Sequence, residues 1–574
     1  MPIHNSDIAT TFEHLADLLE IKGDNPFRIR AYRNAARVVE DMPNALHDLV
    51  EREEDLTALD GIGKDLADKI KEMVTTGKVD ALEKIKAELP PNITDLLTIQ
   101  GLGPKRVRTL YKELQVDSLA RLKAVAEAGT IKTLAGFGAK METQILHALQ
   151  EQADTPKRFL RGPLTSHVDA VVDHMKKLAG VRSVTVAGSY RRAMETIGDL
   201  DLLVIADDHT NVMSHFISFD ETKDVLAQGE TKSSVILRSG LQVDLRLVPA
   251  ESAGAALHYF TGSKAHNIAM RKLAQQQGLK LNEYGLFDGD TSVAGATEKE
   301  IFQALSLAYI EPELRENRGE IEAARESRLP KLISAKDIKG NLHAHTDWSD
   351  GKNTLREMAE AARERGHVYL AITDHSKSLT VANGLNEDRV LEQIEQIDAL
   401  NDETKGITIL KGLEVDILED GRLDLPDSVL SLLDVVAASV HSKFNLSMEQ
   451  QTRRICRAMD NPLVTFIAHP TGRLLLTRKP YEVDVSALIE HAAKTGCYLE
   501  INANPQRLDL NDTYSQLAKE HGVMMTLNTD AHSVNGMDAL DFGLGQARRA
   551  WLEARDVINT RSLPALKKLL RARR

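Results

Sequence analysis

Nine side chains between His343 and His532 have the chemistry to hold metal ions: His343, His345 and Asp350 in NLHAHTDWSDG, His375 in AITDHS, Glu414 in GLEVDI, His441 in ASVHSK, His469 in FIAHPTG, and Asp530 and His532 in LNTDAHS. Imidazole and carboxylate in this mixture suit zinc, manganese or iron. A lone histidine is ordinarily structural. Six histidines and three acids, most of them at the ends of apolar runs, point instead to a multinuclear metal hydrolase. Bridged cations roughly 4 Å apart lower the pKa of a shared water and neutralise the attacking and leaving oxygens of a phosphoester, so no side-chain nucleophile is required. Lys443, Arg473 and Arg507 are candidates to grip the substrate phosphate.

A second constellation lies upstream. VTVAGSYRRAMETIGDLDLLVIA sets a Gly188-Ser189 turn after an apolar strand and places Asp199 and Asp201 at the start of the next, while LQVDLRLVP supplies Asp244. Period-two spacing puts Asp199 and Asp201 on one face of their strand. Three convergent carboxylates with a Gly-Ser phosphate turn suit two-metal nucleotidyl transfer with Mg2+ or Mn2+, one ion activating the attacking hydroxyl and the other holding a triphosphate.

The elements that must position these groups are legible as patterns. VYLAIT, ITILKGLEV, VVAASV, LVTFIA, CYLEI and VMMTL read as buried strands, alternating with helical segments such as TLREMAEAARERG and DRVLEQIEQIDAL. That alternation predicts a distorted (β/α) barrel whose strand ends converge on one mouth. Nearer the N-terminus, LDGIGKDLADKI (59–70), IQGLGPKRVRTL (99–110) and, more loosely, LAGFGAKMETQI (134–145) share a hydrophobic, Gly-x-Gly, helix pattern. Gly61, Gly63, Gly101 and Gly103 let the backbone approach a phosphate, the helix-start N–H groups supply an anion site, and Lys64, Lys105, Arg106 and Lys140 add charge. NPFRIRAYRNAARVVE is a basic amphipathic helix ahead of the first hairpin.

The words HAHT, SDG, TDHS, GLE, VHS, AHP and TDAH resemble the PHP (polymerase and histidinol phosphatase) domain over roughly residues 338 to 574. The resemblance implies up to three Zn2+, Mn2+ or Fe ions: one on His343, His345, Glu414 and Asp530, a second on Glu414, His441 and His469, a third on Asp350, His375 and His532. Upstream, GSYRR, GDLDLL and VDLRL, followed by HYFTGSKAHN and LNEYGLF, resemble the X family of DNA polymerases over roughly residues 1 to 318. This implies Asp199 and Asp201 as ligands to both magnesium ions and Asp244 as ligand and base near a primer 3′-hydroxyl. It also implies Ser189, Arg192 and Gly198 as triphosphate-binding positions. Tyr259, Phe260 and Gly262 match the segment that stacks on the incoming sugar, Asn267 and Arg271 match further nucleotide and template contacts, and Lys69, with Lys71 as its rival, matches the Schiff-base lysine of members with lyase activity.

The whole-chain numbers fit several domains. The 574 residues carry a net charge of −13, which argues against a general polyanion binder, although the basic residues cluster. DNA affinity is therefore expected to be local and salt-sensitive. Two cysteines exclude a disulfide framework, no signal peptide or membrane segment is seen, and a cytoplasmic monomer is expected.

With these resemblances the expected fold is multidomain α/β: helical helix-hairpin-helix domains at 1–85 and 86–153, a mixed-sheet nucleotidyltransferase palm at 154–250, a thumb at 251–318, a linker at 319–337 and a PHP domain at 338–574 that the resemblance implies is a distorted (β/α)7 barrel. The implied activity is gap filling on gapped or primer-template DNA with dNTPs during base excision repair, joined to a 3′-to-5′ exonuclease with scope for abasic-site incision. Three other readings stand beside it: a polymerase whose PHP half is a metal-stabilised scaffold, a DNA-end-binding recruitment protein with weak catalysis, and a small-molecule phosphatase.

Overall fold

The three Gly-x-Gly words fold into one repeated turn. Gly61, Gly101 and Gly136 occupy the left-handed region, with φ of 81°, 88° and 84°, where a side chain is strained. Gly63 and Gly103 then cap the helices Lys64–Thr76 and Pro104–Leu114 without any side-chain acceptor, and Ala139–Asp154 follows the third turn. A Cβ on Gly63, Gly103 or Gly138 would meet nothing within 4 Å. The second glycine of each pair thus leaves open space outside the turn rather than solving a packing problem inside it.

The computed structural model describes residues 5–40, 46–59, 61–99, 101–154, 157–207 and 211–573, so Asp60 and Gln100 of the hairpin words lie outside the described residues. Two compact units emerge, Met1–Lys157 and Arg158–Arg574. The first is helical around one core that runs from Ile8 to Ile145.

The second unit begins with a five-stranded mixed sheet. Its order is Val181–Val186, Asp199–Ala206, Gln242–Leu247, Lys232–Leu237 and Thr222–Gln228. The two acid-bearing strands run parallel, with Asp201 in register against Asp244. The helices Ala253–Thr261 and Lys264–Gln276 and a three-stranded antiparallel ribbon follow.

The C-terminal barrel has seven parallel strands in sequence order, from Gly340–Asn341 to Met525–Asn528. Closure comes from the segment after the first strand: Ala344 bridges Ala531 in parallel, and the Asp530 N–H donates to the His343 carbonyl at 3.1 Å. Alternate residues divide the apolar content. Leu342, Tyr369, Ala371, Leu410, Val435, Ala437, Phe466 and Tyr498 form one buried layer with Leu566 and Leu570 of the C-terminal helix. Their neighbours Leu413, Val436, Ile467, Leu499 and Leu527 join a separate core with residues of the surrounding helices.

The segment 319–337 is not a free tether. Helix Glu320–Arg325 puts Ile321 and Ala324 into the core of residues 255–314, where Leu332 and the barrel's Trp551 also pack. Glu320, fully buried, accepts from the Asn317 and Arg318 N–H groups and faces His266 at 2.6 Å.

Candidate active sites

The period of two that fills the barrel also builds its mouth. Continuing each inward row past the apolar residues gives Thr373 and His375, Gly412 and Glu414, Ser439 and His441, and Asn528 and Asp530. Two candidate ligands sit in left-handed backbone, His469 at φ 30° and Asp530 at 53°, a strain that tightly packed functional sites hold.

Their ligand atoms converge in three groups within 4.8 Å: His343, His345, Glu414 and Asp530; His345, Asp350, His375 and His532; and His375, Glu414 and His441. His469 Nε2 lies 2.9 Å from Glu414 Oε1. His345 and His375 each fall in two groups, so the geometry shares ligands more widely than the sequence assignment did.

The donor set fits cations. His343 Nε2 and Glu414 Oε2 are buried without a hydrogen bond, although 3.3 Å apart. Burial would raise the Glu414 pKa, but His375, His441 and His343 hold it well below the carboxylate range. Burial opposes the charge on His441, yet Glu414 and Asp416 lift its pKa to about 10. Burial, with His532 and His375 beside it, drives His345 down to about 3.

Several supporting residues escaped the sequence reading. Glu500, fully buried, faces His343 Nδ1 at 2.8 Å and accepts from the His469 N–H at 2.7 Å and Asn528 Nδ2 at 2.9 Å. Asp416 lies 3.1 Å from His441 Nδ1. Asp374 accepts from the Thr346 N–H and hydroxyl and from Gln393. A charged residue between Leu499 and Ile501 was the available signal for Glu500.

Of the three basic candidates, only Arg507 stays near the ligands, its Nε 3.6 Å from Asp530 Oδ2. Lys443 pairs with Glu419 at 3.2 Å. Arg473 turns away: both terminal nitrogens engage Glu195 of the mixed-sheet domain, and its Nε donates to the Arg507 carbonyl at 2.9 Å.

On the mixed sheet, Gly188 has φ of 63°, and a Cβ there would stand 2.5 Å from Asp201 Oδ2. Glycine therefore lets the turn close on the acids. Burial of Asp201, with Asp199 and Asp244 beside it, raises its pKa to about 7 against the pull of Arg246 and Lys232; a divalent cation would reverse that balance. Gln242 donates to Asp244 at 2.9 Å and Lys232 approaches it at 3.5 Å.

The segment 259–267 comes to the same place. Arg246 stacks on the Phe260 ring at 4.2 Å, with Tyr259 edge-on to Phe260. Asn267 Nδ2 donates to the carbonyls of Tyr259 and Gly262 at 2.6 and 3.2 Å, and a Cβ on Gly262 would strike Asn267. Arg192 donates to the Thr261 carbonyl at 2.7 Å, while Gly198 directly precedes Asp199 and Ser189 follows Gly188 in the short helix Gly188–Arg191. Arg271 is exposed one helical turn beyond Asn267.

In the N-terminal unit, Lys69 is mostly buried, pairs with Asp65 at 2.5 Å and lies 5.9 Å from the Tyr32 ring. It lines a cleft of 450 Å³ where Lys22, Arg28 and Lys84 stand among the acids Asp24, Asp68, Glu72, Asp80 and Glu88. Lys105 is exposed, whereas Arg106 donates to the Gly101 carbonyl at 2.7 Å and braces the hairpin.

A three-acid palm, helix-hairpin-helix turns and a histidine-lined barrel define a nucleotidyltransferase joined to a metal-dependent phosphoesterase. Family models match in the same order: a helix-hairpin-helix domain at 3–79, a SAM-like helix-hairpin-helix tandem at 93–151, DNA polymerase beta palm at 158–249, DNA polymerase beta thumb at 256–316 and the PHP domain at 341–504. The chain is 42% identical over 573 residues, 99% of its length and 100% of the relative's, to DNA polymerase/3′-5′ exonuclease PolX of Bacillus subtilis (strain 168). It therefore belongs to the family X DNA polymerases that carry a C-terminal PHP domain. A probable phosphatase of Thermoanaerobacter sp. (strain X514) is 29% identical over 38% of this chain and 89% of its own. DNA polymerase lambda of Arabidopsis thaliana is 25% identical over 55% of this chain and 62% of its own.

Proposed function

We propose that this chain extends primers across short DNA gaps from dNTPs and trims 3′ ends at the PHP site. The observation that carries the polymerase reading is the register of Asp201 against Asp244 across parallel strands, with the Gly188 turn closed on Asp201. Asp199, Asp201 and Asp244 would hold Mg2+ or Mn2+, and the nine barrel residues zinc, manganese or iron. Bound there, the cations supply Lewis-acid stabilisation and an acidified water or hydroxyl.

The chain's own residues do the rest. Ser189, Arg192 and Gly198 receive the triphosphate, and Tyr259, Phe260 and Gly262 face the incoming sugar, with Asn267 holding that segment in shape. Asp244 takes the proton of the primer 3′-hydroxyl. At the barrel, Arg507 receives the phosphate of the scissile nucleotide. The hairpin turns at Gly61 and Gly63 and at Gly101 and Gly103, with Lys64 and Lys105, hold the DNA backbone, while Arg106 holds a turn in shape. Base excision repair, abasic-site incision, a deoxyribose-phosphate lyase centred on Lys69, and a monomeric state in the cytoplasm complete the reading; no helix among the described residues is long and apolar enough to cross a membrane.

A 5′-labelled, one-nucleotide-gapped duplex with manganese, with and without dNTPs, tests it. Asp201→Asn is expected to stop extension and spare shortening, and His343→Ala the reverse. Extension that survives Asp201→Asn would overturn the palm assignment.

A further inference from the structure

Arg192, the residue read above as a triphosphate ligand, is held from two sides. Its Nε donates to Glu316 Oε1 at 2.8 Å and its Nη1 to the Thr261 carbonyl. A third group arrives from the PHP barrel. Arg549, at the end of helix Leu540–Arg549 and only 3% exposed, donates through Nη1 to the Arg192 carbonyl at 3.0 Å and to the same Glu316 oxygen at 2.8 Å. Its Nη2 is anchored on Asp512 at 2.7 Å, which Arg318 also contacts at 3.0 Å. One carboxylate oxygen thus joins a guanidinium from each half of the enzyme. Burial would raise the Glu316 pKa, but Arg192 and Arg549 outweigh it and keep the group ionised.

We propose that Arg549 is a positioning residue for nucleotide incorporation: it fixes Glu316 and the Arg192 backbone, and through them aims the Arg192 guanidinium at the triphosphate. The barrel therefore contributes to the polymerase reaction through a named side chain as well as by tethering. The inference rests on the reading of Arg192 as a triphosphate ligand.

The same interface supplies its own control. Arg548, the preceding residue, pairs instead with Glu313 at 2.6 Å and donates to the Ile333 carbonyl at 3.1 Å. If Arg549 only glued the domains together, removing Arg548 would have the same effect. A planar guanidinium that serves three acceptors is also poorly replaced by an ammonium.

Steady-state incorporation on the full-length protein, with exonuclease rate as a second readout, decides the matter. Arg549→Ala and Glu316→Gln are each expected to raise the KM for dNTP on the order of tenfold to a hundredfold, with a smaller change in kcat. Arg549→Lys should recover part of the loss, and Arg548→Ala should leave KM unchanged. The Arg192→Ala/Arg549→Ala double variant should be no worse than Arg192→Ala.

If Arg192→Ala raises KM while Arg549→Ala and Glu316→Gln do not, the inference falls and the ligand reading stands. An Arg192→Ala variant with normal KM would sink both. Should Arg549→Ala lose exonuclease activity as well, Glu316→Gln, which leaves the barrel's own residues intact, decides alone: a normal KM there overturns the proposal.

Discussion

Glu500 stands 2.8 Å from the Nδ1 of His343, both side chains wholly inside the barrel, so the imidazole is left to present its Nε2 to the candidate metal site. The same carboxylate accepts from the His469 N–H, and so orients two ligands at once. Such outer partners tune ligand basicity and ring orientation. Glu500→Gln should lower exonuclease rate or metal affinity by roughly 10- to 100-fold and leave primer extension intact. Metal content by elemental analysis beside both assays checks this; an exonuclease indistinguishable from wild type would mean that Glu500 only fills space.

The Gly188 turn invites a complementary test. Alanine there adds a Cβ 2.5 Å from an Asp201 oxygen at a backbone angle that disfavours it. Displacing the acid by about an ångström should cost extension roughly a hundredfold. Exonuclease activity should persist, and equal loss of both activities would point to a folding defect instead.

Chelation should destabilise the barrel. Ions that bind only the folded cluster stabilise it by roughly 3 kcal/mol at a hundred times their Kd. EDTA is therefore expected to lower the melting temperature of the wild type and to move that of His343→Ala/His345→Ala much less. Equal shifts in the two proteins would place the stabilising ions elsewhere.

His367 gives a pH test away from the ligands. Its burial, with Arg365 nearby, drives its pKa from 6.5 to about 4. The folded state thus refuses a proton that the unfolded chain accepts. This contribution is complete above pH 6.5 and declines as pH falls towards 4, by roughly 1.4 kcal/mol per unit. Urea unfolding at pH 7 and pH 5 should show a smaller loss for His367→Gln than for wild type, and parallel losses would remove His367 as a source.

The exposed Lys105 beside its hairpin turn should act as a phosphate contact. Lys105→Ala is expected to weaken DNA binding evenly across sequences and to lower the salt slope by about 1. An unchanged slope from titrations at several salt concentrations would detach this lysine from the DNA backbone.

The sequence by itself determined the chemistry and the local geometry. Ligand types at strand ends, two acids at a spacing of two, and glycine pairs before helices each report on a few consecutive residues, where backbone periodicity decides which face a side chain takes. It did not determine what those faces meet. Arg473, a candidate to grip the substrate phosphate, is spent on Glu195, and the charged stretch 319–337, read as a linker, carries Ile321 into a core shared with Trp551. Glu500 reads as an oddity in an apolar strand until the barrel closes His343 onto it. Only tertiary structure brings Arg549 to Arg192, because that pairing depends on how two independently patterned domains pack, and no local spacing encodes it.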